Sequence, residues 1–276
     1  MSEILKAVVY GIIEGITEWL PISSTGHMIL AEQLIRFQLS DAFMEMFRMV
    51  IQLGAILAVV VLYWHRLWPF GRKNGRIISK LPVWRLWIKI LIATVPGAVV
   101  MLTLDDWMDA HFYNYITVAC MLILYGVLFI VIENRRPEPQ VQRVSQIGFG
   151  DALIIGLWQM LAIVPGTSRS GATIVGGLLL GLSRACVAEF TFFLAVPAMA
   201  GSSLIKVVKF LGAGNHFTGL EVGVLATGCA VAFIVSVLSI RFLMNYVRRH
   251  DFKFFGWYRI ALGAVVLAAA AVTALR

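Results

Sequence analysis

The sequence predicts an all-α integral membrane protein, with six transmembrane helices plus two re-entrant helical hairpins arranged as inverted-topology repeats. Three observations lead there. The 276 residues are 60% hydrophobic and 14% charged, too apolar for a core that faces water. Six apolar stretches are each long enough to cross about 30 Å of hydrocarbon as helices. Two further apolar stretches, 4–36 and 149–183, are interrupted by Pro, Gly and Ser at matching places.

In chain order the six spans fall near 46–64, 86–104, 112–133, 186–205, 220–240 and 256–275. The N-terminus does not read as a cleavable signal. Glu14 and Glu18 interrupt its apolar region, and no small-residue cleavage site follows. The loops set the orientation. Of the 23 Lys and Arg residues, 13 lie in the loops 65–85, 134–148 and 241–253, which places these three in the cytoplasm. The loop at 105–111 carries Asp105, Asp106 and Asp109 instead, and the loop at 207–219 only Lys209, so both lie outside. A net charge of +8 distributed in this way is a topology signal. No nucleic-acid partner is expected, and membrane lipids are. Cys120, Cys186 and Cys229 fall within predicted spans without metal-ligand spacing, and read as small buried apolar residues.

The two interrupted stretches match each other. "GIIEGITEWLPISSTG" (11–26) and "GLWQMLAIVPGTSRSG" (156–171) both run 16 residues between glycines. Each has Glu14 or Gln159 fourth, a proline near the tenth place and Ser23 or Ser168 thirteenth. "MEMF" (44–47) and "AEFT" (188–191) then open a long span in each half. Several matches in register indicate an internal duplication within a single membrane domain, 1–276. Repeat one is 1–133 and repeat two 149–276. The charge pattern makes the first interrupted segment, and the N-terminus, enter from outside and the second from inside. The repeats are then inverted, and broken helices at matching places in inverted halves point to a site between them. Irregular backbone at that depth is tolerated only where protein buries it or a wet cavity takes it in.

The chemistry sits at the breaks. Glu14 and Glu18 are one helical turn apart and face the same way. Each ionised carboxylate in a membrane costs roughly 2.5–3.5 kcal/mol on insertion scales, so partners are expected. Two carboxylates on one face suit a hard divalent cation, Mg²⁺ or Ca²⁺. Pairing with Arg, or a place in interfacial water, is the other reading. Beyond Pro21, Ser23, Ser24 and Thr25 read as a helix start, and "PGTSRSGAT" (165–173) reads the same way. Both short helices would aim free N–H groups at the break, an arrangement that binds phosphate. Arg169 carries a planar fork that matches phosphate oxygens, or else it pairs with Glu14 or Glu18. His27 lies three residues beyond Ser24 and four beyond Ser23, so it is either a base beside a hydroxyl or a packing residue. Glu189 reads either as support for the site or as half of a structural ion pair. Arg259, at the head of the last span, reads as an interfacial anchor or a Glu partner. Cation, guanidinium and helix ends together would cradle a phosphate for attack by Ser24 or water.

At these residues the sequence resembles the undecaprenyl-diphosphate phosphatase family, the bacitracin-resistance type. "EGITEWLPISSTGH" (14–27) and "PGTSRSGAT" fit its two motifs, and "VIQLGAILAVV" (50–60) and "AEFTFFLAVP" (188–197) look like further family segments. The resemblance implies hydrolysis of a C55 polyprenyl diphosphate lipid to the monophosphate carrier of cell-wall synthesis. It also implies a divalent cation, an inner-membrane location, a site open to the outer side and a homodimer. Carried over by motif position, Glu14 and Glu18 are the acidic pair, with Glu18 catalytic. Ser24 is the nucleophile and His27 its acid/base partner. Ser23, Thr25, Ser168, Arg169, Ser170 and Thr173 bind substrate, supported by Gln159 and Glu189. His27, Ser23 or an activated water also remain open as the attacking group. Arg48 stands where a family member is expected to carry an acid.

Two other classes compete. Broken helices in inverted repeats also build secondary transporters, so a carrier or flippase for a phosphorylated or anionic lipid is the alternative. The acid-phosphatase-like lipid phosphatases need a second histidine with an aspartate after an "SR" pair, and "SRACVAEFTF" after Leu182 has neither.

Overall fold

The computed structural model describes residues 1–73, 76–135 and 137–274. Six of its helices are long and apolar enough to cross a membrane: Asp41–Leu62, Leu81–Asp105, Tyr115–Arg135, Arg184–Gly212, Gly219–Val247 and Lys253–Ala271. Each overlaps one predicted span. The protein is a multi-pass helical membrane protein.

The first interrupted stretch is a pair of short helices, α1 (Glu3–Thr17) and α2 (Ser24–Leu34). At 1.5 Å per residue they are about 22 Å and 16 Å long, each short of a bilayer core. The first span follows as α3 (Asp41–Val50) and α4 (Gln52–Leu62), then a single turn, α5 (Trp64–Leu67). The basic loop holds an antiparallel hairpin, β1 (Phe70–Lys73) with β2 (Arg76–Ser79), Phe70 opposite Ser79. The half closes with α6 (Leu81–Phe112) and α7 (Tyr115–Arg135). The second half begins with α8 (Phe149–Met160), a 3₁₀ turn at Leu161–Ile163 and α9 (Arg169–Leu179). The long helices α10 (Arg184–Gly212), α11 (Gly219–Val247) and α12 (Lys253–Ala274) complete it.

The expected loop at 105–111 is helical instead, because α6 runs on to Phe112. Hydropathy marks where apolar sequence stops, and neither Gly nor Pro breaks the helix before Asn114. The side chains of Asp106 and Asp109 lie outside the described residues, as does residue 275 of the last expected span. Likewise α10 continues to Gly212, into the expected 207–219 loop.

Packing partners come in matched sets. Helix α1 packs on α11 as α8 packs on α6; α3 and α4 pack on α10, and α7 on α12. Small residues make these approaches close. A Cβ on Gly126 of α7 would lie 2.7 Å from the Gly256 carbonyl oxygen, and one on Gly256 of α12 would lie 2.8 Å from that of Gly126. The spans α3–α4 and α10 are joined near both ends by ion pairs. Glu45 at the start of one pairs with Lys206 near the end of the other at 2.8 Å. Glu189 at the start of the second pairs with Arg66 just past the end of the first. Lys206 also lies 3.4 Å from Asp105 of α6.

Candidate active site

The two breaks end alike. Ser23 has φ 72° and ψ 107°, Ser168 φ 69° and ψ 122°. They are the only non-glycine residues with positive φ among the described residues. Each caps the helix that follows. The Ser23 hydroxyl accepts from Gly26 N–H at 3.4 Å, and the Ser168 hydroxyl from Gly171 N–H at 3.2 Å. Such backbone costs roughly 1–3 kcal/mol per residue and persists only where the surroundings enforce it.

The next residue after each cap carries the chemistry. Arg169 crosses from the second break to the first, donating from Nη2 to Glu18 Oε1 at 3.0 Å. Its Nη1 donates to the Thr191 carbonyl at 3.1 Å. Ser24 donates from Oγ to Glu18 Oε2 at 3.3 Å. One carboxylate thus gathers a guanidinium and a hydroxyl from opposite halves of the chain. Of the two readings of Arg169, the pairing with Glu18 is the one adopted. Glu18, Ser24, Thr25, Gln159, Ser168 and Arg169 are among the polar residues that line a cavity of about 340 Å³. Met49, Met101, Met160 and Met199 contribute to its apolar walls. A second, more open depression of about 450 Å³ lies between Glu133, Arg184 and Arg248, and contains none of the motif residues.

Other expected site residues are placed differently. Glu14 is one turn before Glu18, 1% exposed and not part of the cavity lining; its Oε1 has no partner among the described residues. Gln159, at the matching place in the second half, donates from Nε2 to the Ala93 carbonyl at 3.3 Å, while its Oε1 is unpartnered among the described residues. Ser23 is fully buried with its hydroxyl committed to the cap. Ser170 is buried and its hydroxyl lies 3.1 Å from that of Ser168. Thr173 sits one turn beyond Arg169 and faces α10, its hydroxyl 2.8 Å from that of Thr191, so it supports α9 from behind. Glu189 has Arg66 as its partner, which makes it the structural ion pair. Arg48, in the place where an acid was expected, pairs with Glu32 of α2.

His27 meets neither serine hydroxyl. Its Nδ1 lies 2.7 Å from the Ser23 carbonyl oxygen and its Nε2 2.8 Å from the Tyr258 hydroxyl. Facing a carbonyl, Nδ1 carries the proton, and Nε2 accepts from Tyr258. The helix turn that brings the imidazole back toward Ser23 delivers it to the main chain.

Arg259 is neither an interfacial anchor nor a Glu partner. It is fully buried, and among the described residues every acceptor of its guanidinium is a main-chain carbonyl. Sequence reasoning missed Tyr258 and Thr191 altogether; "GWYRI" offered a signal only in its arginine, a charge inside a span that needs some partner.

The donor set fits a divalent cation in part. Two carboxylates lie one turn apart and one buried oxygen lacks a partner, while no group of three or more His, Cys, Asp or Glu is gathered for a metal among the described residues. Remaining ligands would come from substrate or water, which is usual for Mg²⁺.

A multi-pass helical membrane protein whose polar site is assembled from two interrupted helices is what fold and geometry define. The chain belongs to the family described as Bacitracin resistance protein BacA, which residues 7–265 match. It is similar to proteins named undecaprenyl-diphosphatase. One from Desulfitobacterium hafniense is 58% identical over 270 residues, 97% of this chain and 96% of its own. Another from Acetivibrio thermocellus is 56% identical over 269 residues, 97% of each chain. One from Enterococcus faecalis is 53% identical over 269 residues, 96% of this chain and 97% of its own.

Proposed function

We propose that this chain hydrolyses undecaprenyl diphosphate to undecaprenyl phosphate and inorganic phosphate, recycling the lipid carrier of cell-wall synthesis. Relatives of that name cover nearly the whole chain. The observation that carries the reading is the Ser24–Glu18–Arg169 arrangement on the cavity wall.

Arg169 first holds Glu18, then exchanges that carboxylate for the terminal phosphate, whose oxygens match its fork. Glu18, released, accepts the Ser24 proton as the hydroxyl oxygen bonds to the terminal phosphorus. The bridging P–O bond breaks and undecaprenyl phosphate leaves. Water then attacks the phosphoserine phosphorus, the P–O bond to Ser24 breaks, Glu18 returns its proton to Ser24 Oγ, and inorganic phosphate leaves. Free N–H groups at the start of α9, beside Ser168, face the transferred phosphate. A cation held by Glu14 and Glu18 would supply neutralisation of the diphosphate charge. His27 holds the Ser23 carbonyl and so aims Ser24, a positioning role.

The cavity, about 340 Å³, takes the head group and the first isoprene units. The remaining tail stays in lipid. The charge pattern supports an inner-membrane protein with its N-terminus and site toward the outside. The matched packing sets, the two ion pairs and the twin serine caps support inverted repeats, 1–133 and 149–276, each opened by a re-entrant hairpin. A homodimer completes the proposal, carried from the family.

The test is phosphate release from undecaprenyl diphosphate by purified protein, with Mg²⁺, with excess chelator, and with a Glu18→Gln, Arg169→Ala double variant. Release that needs the metal and the intact pair supports the reading. A folded sample that releases none sinks it and leaves the lipid transporter.

A further inference from the structure

Arg259 is a cation buried in a membrane span with no carboxylate among the partners the structure gives it. A lone guanidinium at that depth is costly, so the structure around it must repay its hydration with acceptors. The acceptors are specific. Nη1 donates to the Pro21 carbonyl at 3.3 Å, and Nη2 to those of Gly166 and Thr167, both at 2.9 Å. Nε and Nη2 also reach the Leu122 and Met121 carbonyls of α7 at 3.4 Å. Pro21 lies in the first break, and Gly166 and Thr167 in the second. Carbonyls at a helix break have lost their ladder partners, and in lipid nothing else replaces them. A planar fork with five N–H donors can serve both breaks at once, which a lysine ammonium cannot.

We infer that Arg259 is a positioning residue that pins the two breaks to each other and thereby aims Ser24 and Arg169. The peptide it grips at Thr167 leads directly into Ser168, and the one at Pro21 lies two residues before Ser23. Those are the two strained caps. The guanidinium is therefore the surrounding structure that enforces the left-handed conformation on both sides. Its own place is fixed by α12, which packs on α7 through Gly126 and Gly256, and by the Tyr125 ring 5.4 Å beneath it. Nothing in this role needs Arg259 to touch substrate. Its kinetic consequence rests on the phosphatase reading; its geometric consequence does not.

The test uses spin labels at Ile16 and Leu161, both exposed and each flanking one break, in a chain whose three cysteines are replaced. The label-to-label distance and phosphate release are measured for the parent, Arg259→Lys and Arg259→Met, with thermal unfolding as the check on folding. The parent is expected to give one narrow distance and both variants a broadened or shifted one. Release is expected to fall about 100-fold in kcat for the methionine variant, the loss that a misplacement near 1 Å brings. KM should stay within about threefold and the pH profile should keep its shape, because no binding or titrating group is removed. If the methionine variant does not fold, the lysine variant, which keeps the charge, decides. A folded variant with parent-like kcat overturns the inference, and so does one whose kcat falls while the distance stays narrow. A parent that releases no phosphate overturns the phosphatase reading alone, and the distances still decide whether Arg259 pins the breaks.

Discussion

Ser23 and Ser168 adopt the same left-handed backbone, φ 72° and φ 69°, each as the cap of its own short helix. Glycine and alanine both lose the hydroxyl cap, but glycine reaches that conformation freely while alanine keeps the strain. Ser168→Gly should therefore be more stable than Ser168→Ala by about 1 kcal/mol. Thermal unfolding in one detergent would check this. Equal stability of the two would mean that the left-handed backbone at 168 carries no strain.

The Glu18–Arg169 contact joins two nearly buried charges, 8% and 13% exposed in their side chains. Removing one partner of such a pair leaves the other uncompensated, at a cost of about 3–5 kcal/mol for full burial. Glu18→Gln should lower the unfolding temperature, and adding Arg169→Gln should recover much of that loss. Activity should not return in the double variant. Recovery of stability without activity separates the packing role of the pair from its chemical one.

Ser24 and His27 should respond unlike a nucleophile–base pair. Ser24→Ala should cut kcat by at least about 10³-fold, as loss of a nucleophile does. His27→Asn keeps an N–H to offer the Ser23 carbonyl, and should retain a measurable rate with an unchanged pH profile. Loss of a titrating limb in that profile would return the imidazole to the role of base.

Chelation should abolish phosphate release and Mg²⁺ should restore it. Glu14→Gln should raise the metal concentration needed for half-maximal rate by about tenfold or more, since it removes a charged ligand of a sparse set. A metal requirement identical to the parent's would remove Glu14 from the site.

Much of the fold is legible in the sequence because a bilayer reduces the problem to length and hydropathy. All six spans overlap the expected stretches, and the breaks fall at Pro21 and at Pro165–Gly166. Ser24, Glu18 and Arg169 meet as their motifs suggest, since local helix ends position each of them: Glu18 caps the end of α1, and Ser24 and Arg169 open α2 and α9. Arg259 and Tyr258 were not legible: their roles depend on α12 lying against α7 and both breaks, a long-range fact with no local signature. His27 shows the limit of spacing arguments, because one helical turn gives reach to a carbonyl as readily as to a hydroxyl. Thr173 and Glu189 are shared-motif residues whose partners lie on neighbouring helices, so motif membership alone did not reveal which way they face.

The four methionines of the cavity wall carry a consequence for selectivity. Met49, Met101, Met160 and Met199 are unbranched, thioether-bearing side chains that repack around irregular apolar shapes. A wall of that kind does not measure branching or double-bond geometry, whereas the guanidinium and serine hydroxyl beside it respond to phosphate count and placement. Farnesyl and undecaprenyl diphosphates should therefore turn over at similar kcat, while the corresponding monophosphates should not react at all. That outcome would make the protein a strict reader of head groups and an indifferent reader of tails.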